Sequence, residues 1–177
     1  MNRLTRIPRL IRRSILGAIV LQASLTAGAQ TAAIGADIGA DEARRIVAPF
    51  YDALNQPATK NVDELLGRAT TADWQSCGGN AACAPREVVI GAFKRRGADV
   101  PDLHWEIKDL RMAGPDTVIV RGEASGTPVR EFFGLAPTGK SFRVMSIDVH
   151  TLRDSRMQRS YHVEDWAGAL RQLAAKP

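Results

Sequence analysis

The sequence predicts a single α+β domain in which helices come first and an antiparallel sheet follows. Between residues 41 and 97 apolar side chains recur at three- and four-residue spacing, which is typical of amphipathic helices. After Pro101 the pattern changes to period-two alternation broken by short turns, as expected for consecutive strands joined in hairpins. Helices and strands that are segregated along the chain indicate an α+β fold. A sheet that curls around its helices leaves a pocket open at one end.

The N-terminal segment has the three-part layout of a secretory signal. Five arginines and no acidic residue occur in residues 1–13, an apolar run follows at residues 15–25, and Ala27-Gly28-Ala29 supplies the small residues that signal peptidase accepts. We therefore expect a signal peptide at residues 1–29, a leader at residues 30–40, a domain at residues 41–175, and a periplasmic or secreted location. The alternative is an uncleaved signal that anchors the protein in the membrane. The export route, general secretory or twin-arginine, stays open.

The excess positive charge of the chain is concentrated in that segment. The sequence pI is about 9.7, but five of the 24 basic side chains lie in residues 1–29, and the rest balance the 19 acidic ones. A domain close to neutral lacks the basic surface that phosphate backbones require. We therefore expect no nucleic-acid partner.

The two cysteines, Cys77 and Cys83, bracket a Gly-Gly-Asn turn. In an oxidising compartment a pair at this spacing predicts one local disulfide that pins a loop. A redox-active or metal-binding pair is the alternative, but it needs a tighter spacing or further soft ligands. The chain has no recognised ligand spacing and no phosphate-binding or dinucleotide motif, so we expect neither a metal nor a cofactor.

Three helices are predicted in the first half of the domain. The first begins near Asp41, which suits an N-cap, and ends at Asn55-Gln56-Pro57. A short helix follows at residues 62–66, and after it a loop carries Trp74 and the cysteines. The third helix is expected at residues 86–97, because the preceding proline suits a helix start and Gly97 suits a helix end.

Four strands and a terminal helix complete the domain. The strands are expected at residues 103–112, 117–125, 140–152 and 157–164, and the helix at residues 166–174. Because side chains alternate along a strand, Ser146, Asp148 and His150 share one face. By the same rule Tyr161 and Asp165 share a face of the last strand, and His162 faces the other way, toward the surface.

The segment between the second and third strands carries a family signature. It reads GTPVREFFGLAPTGK from Gly126 to Lys140, and the pairs Ile147-Asp148, Asp165-Trp166 and Gln172-Leu173 follow. The segment resembles the G-T-H-x-G-x-F-x-G-x-x-P-T-G-K hairpin of the SnoaL-like polyketide cyclases and ester cyclases, and the resemblance extends over about residues 41–174. Members of this family have the nuclear transport factor 2-like fold. The resemblance therefore implies a cone-shaped, curved antiparallel sheet wrapped around the N-terminal helices. Pro128 departs from the family, which has histidine there.

The resemblance also implies roles for individual residues. In the polyketide cyclases an aspartate at the end of the last strand acts as acid/base, helped by a histidine on the preceding strand, and these roles fall on Asp165 and His150. A carboxylate among apolar neighbours has a raised pKa, which suits proton transfer. The alternative for Asp165 is the N-cap of the last helix. Candidate substrate-binding residues are Asp148, Trp74, Trp105, Tyr161 and Phe133. The alternative for Asp148 is a polar group at the strand end or an ion pair with Arg143 or Arg159, and the alternative for the two tryptophans is a place in the core.

These features favour an exported domain that binds a small, largely apolar or aromatic carbonyl compound and catalyses its cyclisation or isomerisation without a cofactor. Polyketide cyclisation acts on nascent chains in the cytoplasm, which argues against that substrate for an exported protein. The first alternative is a non-catalytic binding module on the same scaffold. The second is an accessory subunit that forms a homodimer or docks a partner through its open sheet face.

Overall fold

Four α-helices and a six-stranded sheet make up the part of the chain that the computed structural model describes, residues 38–80 and 83–175. The helices are α1 (Ala40–Leu54), α2 (Val62–Ala69), α3 (Arg86–Asp99) and α4 (Trp166–Ala174), with a short 3-10 helix at Pro57–Thr59. The strands are β1 (Thr70–Cys77), β2 (Ala84–Pro85), β3 (His104–Met112), β4 (Thr117–Gly126), β5 (Phe142–Arg153) and β6 (Arg156–Glu164). The predicted signal, residues 1–29, and residues 30–37 of the predicted leader lie outside the described residues.

The sheet is curved and unclosed, with the strand order β2-β1-β6-β5-β4-β3. Strands β3 to β6 pair with their sequence neighbours in antiparallel register, as predicted from the short turns. One prediction is wrong: the residues around Trp74 were expected to form a loop, but they form strand β1, which pairs with β6 in parallel. Because this pairing joins segments far apart in the chain, no turn sequence between them predicts it. The predicted α+β class is confirmed.

The core lies between the concave face of the sheet and the first helix. One face of α1 is buried along its whole length, and the buried members are Ala43, Ile46, Val47, Phe50, Tyr51, Ala53 and Leu54. On β4 the alternation is as predicted, with Val118, Val120, Gly122 and Ala124 buried. On β5 the buried row includes Ser146, Asp148 and His150, also as predicted. The concave face therefore carries polar groups within an otherwise apolar core.

A β-bulge in β6 reverses the predicted facing of that strand. Leu152 on β5 pairs with Met157 and Thr151 pairs with Arg159, so Gln158 is an extra residue without a partner. One extra residue shifts the alternation by one position and exchanges the two faces. As a result His162 turns inward, and Tyr161 lies on the outer face, 47% exposed. The prediction that Tyr161 and Asp165 share the inner face was wrong for this reason.

Three helix boundaries also differ from the predicted ones, and the first is the end of α2, which continues past residue 66 to Ala69. Helix α3 continues past Gly97 to Asp99. A Cβ on Gly97 would lie 2.6 Å from the backbone nitrogen of Ala58, so this glycine permits close packing against the 3-10 helix and does not end α3. Helix α1 begins after Gly39 without a side-chain cap, which places Asp41 inside its first turn.

The predicted disulfide between Cys77 and Cys83 is present at the end of β1. It links the last residue of β1 to the segment that enters the two-residue strand β2. Within residues 38–80 and 83–175, no helix has the length and apolar character needed to cross a membrane.

Candidate functional site

A cavity of about 170 Å³ lies between the concave face of the sheet and the helices. Most of its wall is apolar, supplied by Phe50, Leu54, Ala92, Phe93, Leu103, Trp105 and Trp166. The polar and charged groups that line it are Ser76, Arg96, Asp148, His162 and Glu164. A concave, largely apolar space with a few convergent polar groups is the usual form of a small-molecule site.

Asp148 projects from the middle of β5 into this cavity and is 2% exposed. Its Oδ2 accepts a hydrogen bond from the Tyr51 hydroxyl at 3.0 Å and another from the Ser146 hydroxyl at 3.4 Å. Among the described residues the only buried side-chain polar atom without a partner is Thr71 Oγ1, so Oδ1 of Asp148 keeps contact with the open space. One carboxyl oxygen is thus fixed, and the other is free to face the cavity.

The surroundings of Asp148 favour its neutral form. Burial raises the pKa of Asp148 to about 7, and the neighbouring Glu164 carboxylate adds to the rise. The hydrogen bond from Tyr51 acts in the opposite direction, because it stabilises the carboxylate. Near neutral pH the carboxyl therefore exchanges its proton readily, which is the condition for general acid–base catalysis.

Asp148 is the end of a buried hydrogen-bond chain. Trp74 Nε1 donates to Ser160 Oγ at 2.9 Å, Ser160 lies 2.8 Å from His150 Nδ1, and His150 Nε2 lies 3.0 Å from the Tyr51 hydroxyl. When Asp148 is ionised, Tyr51 must donate to it, so His150 donates from Nε2 and accepts from Ser160 at Nδ1. Ionisation of Asp148 therefore selects one tautomer of His150.

His150 itself is fully buried and does not line the cavity. Burial lowers the pKa of its imidazole to about 3, so the ring is neutral at physiological pH. The resemblance implies that His150 assists the acid/base, but the structure places its imidazole behind Tyr51, whose side chain bonds both the imidazole and Asp148. What His150 does is orient the tyrosine that holds Asp148.

His162 and Glu164 form the second polar pair of the cavity. His162 Nδ1 lies 2.8 Å from Glu164 Oε1, and Trp166 Nε1 donates to Glu164 Oε2 at 3.1 Å. The hydrogen bond to Glu164 raises the pKa of His162, so the imidazolium form is favoured. His162 is also the register partner of Asp148 across β5 and β6. Sequence alternation placed His162 at the surface, and only the bulge in β6 brings it to the cavity.

Asp165, the predicted acid/base, takes the alternative role of helix N-cap. Its Oδ1 accepts from the backbone nitrogen of Gly168 at 2.7 Å, and its side chain is 52% exposed. Asp165 is absent from the cavity lining, whereas the preceding Glu164 belongs to it. The bulge explains this too, since it turns Glu164 inward and leaves Asp165 to begin α4. The assignment of Asp165 to the cavity is therefore corrected.

The remaining candidates are divided between cavity, core and surface. Trp105 lines the cavity, and its Nε1 donates to Ser146 Oγ at 3.2 Å. Trp74 is fully buried in the core. Tyr161 lies on the outer face of the sheet. Phe133 is 52% exposed outside the cavity lining, in the left-handed backbone region with φ of 48°, and its ring lies 5.7 Å from that of Trp166.

Four further residues in or next to the cavity were not predicted from the sequence to be functional: Tyr51, Arg96, His162 and Glu164. Tyr51 belongs to the predicted apolar face of the first helix, where its hydroxyl gives no separate signal. Arg96 and Glu164 are ordinary charged residues in sequence. Within the described ranges no group of three or more His, Cys, Asp or Glu side chains is arranged to hold a metal ion.

The family model described as SnoaL-like polyketide cyclase matches residues 44–173. Among solved structures, IdmH of Streptomyces antibioticus, a candidate polyketide cyclase, is 27% identical with a TM-score of 0.64, and the match covers 75% of this chain and 99% of IdmH. TsrD of Streptomyces laurentii is 22% identical with a TM-score of 0.66, covering 78% and 98%.

AclR of Streptomyces galilaeus, a candidate hydroxylase, is 19% identical with a TM-score of 0.65, and the match covers 78% of this chain and all of AclR. Its likeness shows the shared fold alone, and one fold can host different reactions. The comparison with curated proteins finds no match.

Proposed function

Because the chain belongs to the SnoaL-like polyketide cyclase family, we propose that it binds a small carbonyl compound in its cavity and cyclises or isomerises it by proton transfer. The observation that carries this proposal is the environment of Asp148. The carboxyl group of Asp148, whose pKa is about 7, has one oxygen free to face a largely apolar cavity. His162, whose pKa is raised by its hydrogen bond to Glu164, lines the same space.

The proposed chemistry begins with Asp148 as the base. Oδ1 removes a proton from the carbon beside a carbonyl group, and the C–H electron pair becomes an enolate whose oxygen is stabilised by the His162 imidazolium. In an isomerisation, protonated Asp148 returns the proton to a different carbon. In a cyclisation, the enolate carbon attacks a second carbonyl of the same molecule, and the new alkoxide takes the proton from Asp148. Neither route needs an oxidant or a reductant.

The size of the cavity limits the ligand. A cavity of about 170 Å³ is close to the roughly 150 Å³ that accommodates one benzene ring in a protein core, and below the 300 Å³ or more of typical drug-sized sites. We therefore infer a substrate or product with one ring. The aromatic rings in the wall, Phe50, Phe93, Trp105 and Trp166, favour a flat or aromatic compound.

The decisive experiment compares Asp148→Asn with Asp165→Asn. In a screen of single-ring and ring-forming carbonyl compounds, we expect Asp148→Asn to lower kcat by about 100-fold or more while binding persists. Asp165→Asn, which changes a carboxylate outside the cavity, should keep nearly full turnover. Loss of turnover in Asp165→Asn alone would contradict the proposal and restore the role predicted from sequence. Ligand binding without turnover by the unmodified protein would instead identify a binding module.

We also propose that the protein is exported to the periplasm or secreted. The layout of residues 1–29 supports this location, since basic, apolar and small-residue parts follow one another in the order of a secretory signal. The Cys77–Cys83 disulfide is consistent with it, because structural disulfides persist in oxidising compartments. Such a protein would act on an extracytoplasmic compound.

A homodimer is a second proposal, supported by the outer face of the sheet. Met145, Tyr161 and Val163 are exposed there. Three half-buried apolar residues join them into one patch across β4, β5 and β6: Ile119, Ile147 and Val149. We infer that a second copy of this chain covers the patch, because two copies of a domain with balanced charge do not repel and a twofold axis lets the patch pack on itself.

A further inference from the structure

Arg96 is the one basic side chain in the cavity lining besides His162. It projects from α3, and its guanidinium carbon lies 4.7 Å from the ring centres of Phe132 and Phe133 and 5.3 Å from that of Trp166. Aromatic rings hold a guanidinium group by its faces, which leaves the N–H donors at its edge free to bind other groups. The three rings therefore fix the position of the charge without using its hydrogen-bonding capacity.

No carboxylate among the described residues lies within ion-pair distance of Arg96, and no hydrogen bond of its side chain is formed with them. Glu164, the carboxylate in the same cavity, is bonded to His162 and Trp166. The guanidinium is half-buried, and burial lowers the pKa of Arg96 while leaving it charged. Asp99 and Glu164 attract the charge at longer range, but neither forms an ion pair or a hydrogen bond with it. A half-buried guanidinium whose N–H donors have no protein acceptor is costly in a folded protein unless an anion binds it.

We propose that Arg96 is the anchor for an anionic group of the ligand, so that the substrate class is a single-ring carbonyl compound bearing a carboxylate. This inference rests on the proposed function and specifies it. The planar guanidinium matches a carboxylate through two parallel hydrogen bonds. With the carboxylate held at Arg96 on α3, the ring lies among the aromatic side chains and its carbonyl end extends toward Asp148 and His162 on the sheet.

The competing role for Arg96 is structural. Its stacking on Phe132 and Phe133 ties α3 to the segment between β4 and β5, and loss of that contact would lower stability without changing which ligands bind. The two roles differ in one respect. An anchor distinguishes a charged from a neutral ligand of the same shape, whereas a structural tie does not.

The test uses benzoate and benzamide, a matched pair of single-ring probes that differ in charge. In calorimetric or NMR titrations of the full mature protein, we expect benzoate to bind about tenfold tighter than benzamide, as one charge-assisted contact implies. Arg96→Gln should reduce the ratio of the two dissociation constants to about one, and Arg96→Lys should restore part of it. Arg95→Gln, an equal charge change at the next residue of α3 outside the cavity lining, should keep the wild-type ratio.

Equal binding of both probes to the unmodified protein would overturn the anchor and leave the proposed function intact. An Arg96→Gln variant that weakens both probes equally and has a lower Tm would also overturn it, in favour of the structural tie. If neither probe binds, the cavity does not accept single-ring compounds, and the proposed function fails together with the anchor.

Discussion

Asp148 and His150 stand two positions apart on the buried row of β5, and burial shifts their pKa values in opposite directions. The pKa of Asp148 rises from 3.8 to about 7, and that of His150 falls from 6.5 to about 3. Both shifts favour the neutral form, since each group loses hydration of its charge. Tyr51 bonds both side chains, and burial together with the Asp148 charge raises its own pKa, so it remains a donor. Burial thus favours the neutral forms of Asp148, Tyr51 and His150, which are joined by hydrogen bonds.

These shifts predict an altered dependence of stability on pH when Asp148 is replaced. Between about pH 4 and 7 the folded protein holds a proton on Asp148 that the unfolded chain has lost, so this group makes stability fall as pH rises. The contribution of His150 to stability rises with pH between about pH 3 and 6.5, because in that range only the unfolded chain holds a proton on this imidazole. In the wild-type protein the two contributions oppose each other between about pH 4 and 6.5.

Asp148→Asn removes the first contribution and leaves the second. We expect its free energy of unfolding, relative to wild type, to increase with pH between about 4 and 7 and to reach a gain of roughly 1–4 kcal/mol at pH 8. Urea unfolding of both proteins across this pH range measures the difference between their free energies of unfolding. The contributions of the other titrating groups are the same in both proteins and cancel in that difference. A difference that stays constant with pH would show that Asp148 ionises normally in the folded state.

At the scale of elements, the β6 bulge and the disulfide loop together position His162. The bulge turns its imidazole into the cavity, and Gly78, directly after the first cysteine, lies against the ring. A Cβ on Gly78 would come within 3.3 Å of His162 Cε1, whereas one on Gly79 would meet nothing within 4 Å. The disulfide restrains this loop beside the imidazole, so a covalent link outside the cavity lining helps to position a candidate catalytic group.

This contact predicts different effects of two adjacent substitutions. Gly78→Ala should displace the His162 ring by a few tenths of an ångström, weaken its bond to Glu164, and move its pKa down toward the ordinary value. We expect roughly a two- to tenfold loss of turnover from such a displacement. Gly79→Ala, in the same loop, is the control and should leave the turnover and the pKa of His162 unchanged. NMR titration of the histidine rings provides the measurement, and identical His162 titration in the two variants would refute the contact's role.

At the scale of the whole molecule, the two faces of the sheet differ in what they present. The concave face encloses the cavity, and the outer face exposes the apolar patch that we assign to a second copy of the chain. The bulge contributes to both, because it sends His162 inward and Tyr161 and Val163 outward in one step. The proposed dimer and the candidate chemistry would therefore both depend on one irregularity in one strand.

Native mass spectrometry of the protein recovered from a periplasmic extract tests assembly and export together. We expect a dimer whose subunit mass corresponds to cleavage after Ala29. Val163→Glu, which places a charge in the patch, should convert the dimer to monomer, while Val88→Glu, a similarly exposed valine on α3, should not. A monomeric unmodified protein contradicts the dimer, and a subunit that retains residues 1–29 contradicts the cleaved signal.

The sequence by itself determined most of the elements, because their signals are local. Period-two alternation predicted the buried rows of β4 and β5, including Asp148, and the short turns predicted the antiparallel order. The cysteine spacing predicted the disulfide, and α4 has the predicted bounds, Trp166–Ala174. The hairpin motif predicted the family, since its residues are contiguous.

Only the tertiary structure decided which side chains meet in the cavity. The unpaired Gln158 is apparent only when β5 and β6 are aligned in register. Alternation along β6 alone therefore could not show that Glu164, and not Asp165, lines the cavity, or that His162 points inward. Tyr51 and Arg96 lie on helices distant in sequence from β5, and nothing local indicates that their polar groups reach the same space. Strand facing follows a local period, whereas the convergence of charges depends on long-range packing, which no short segment of sequence encodes.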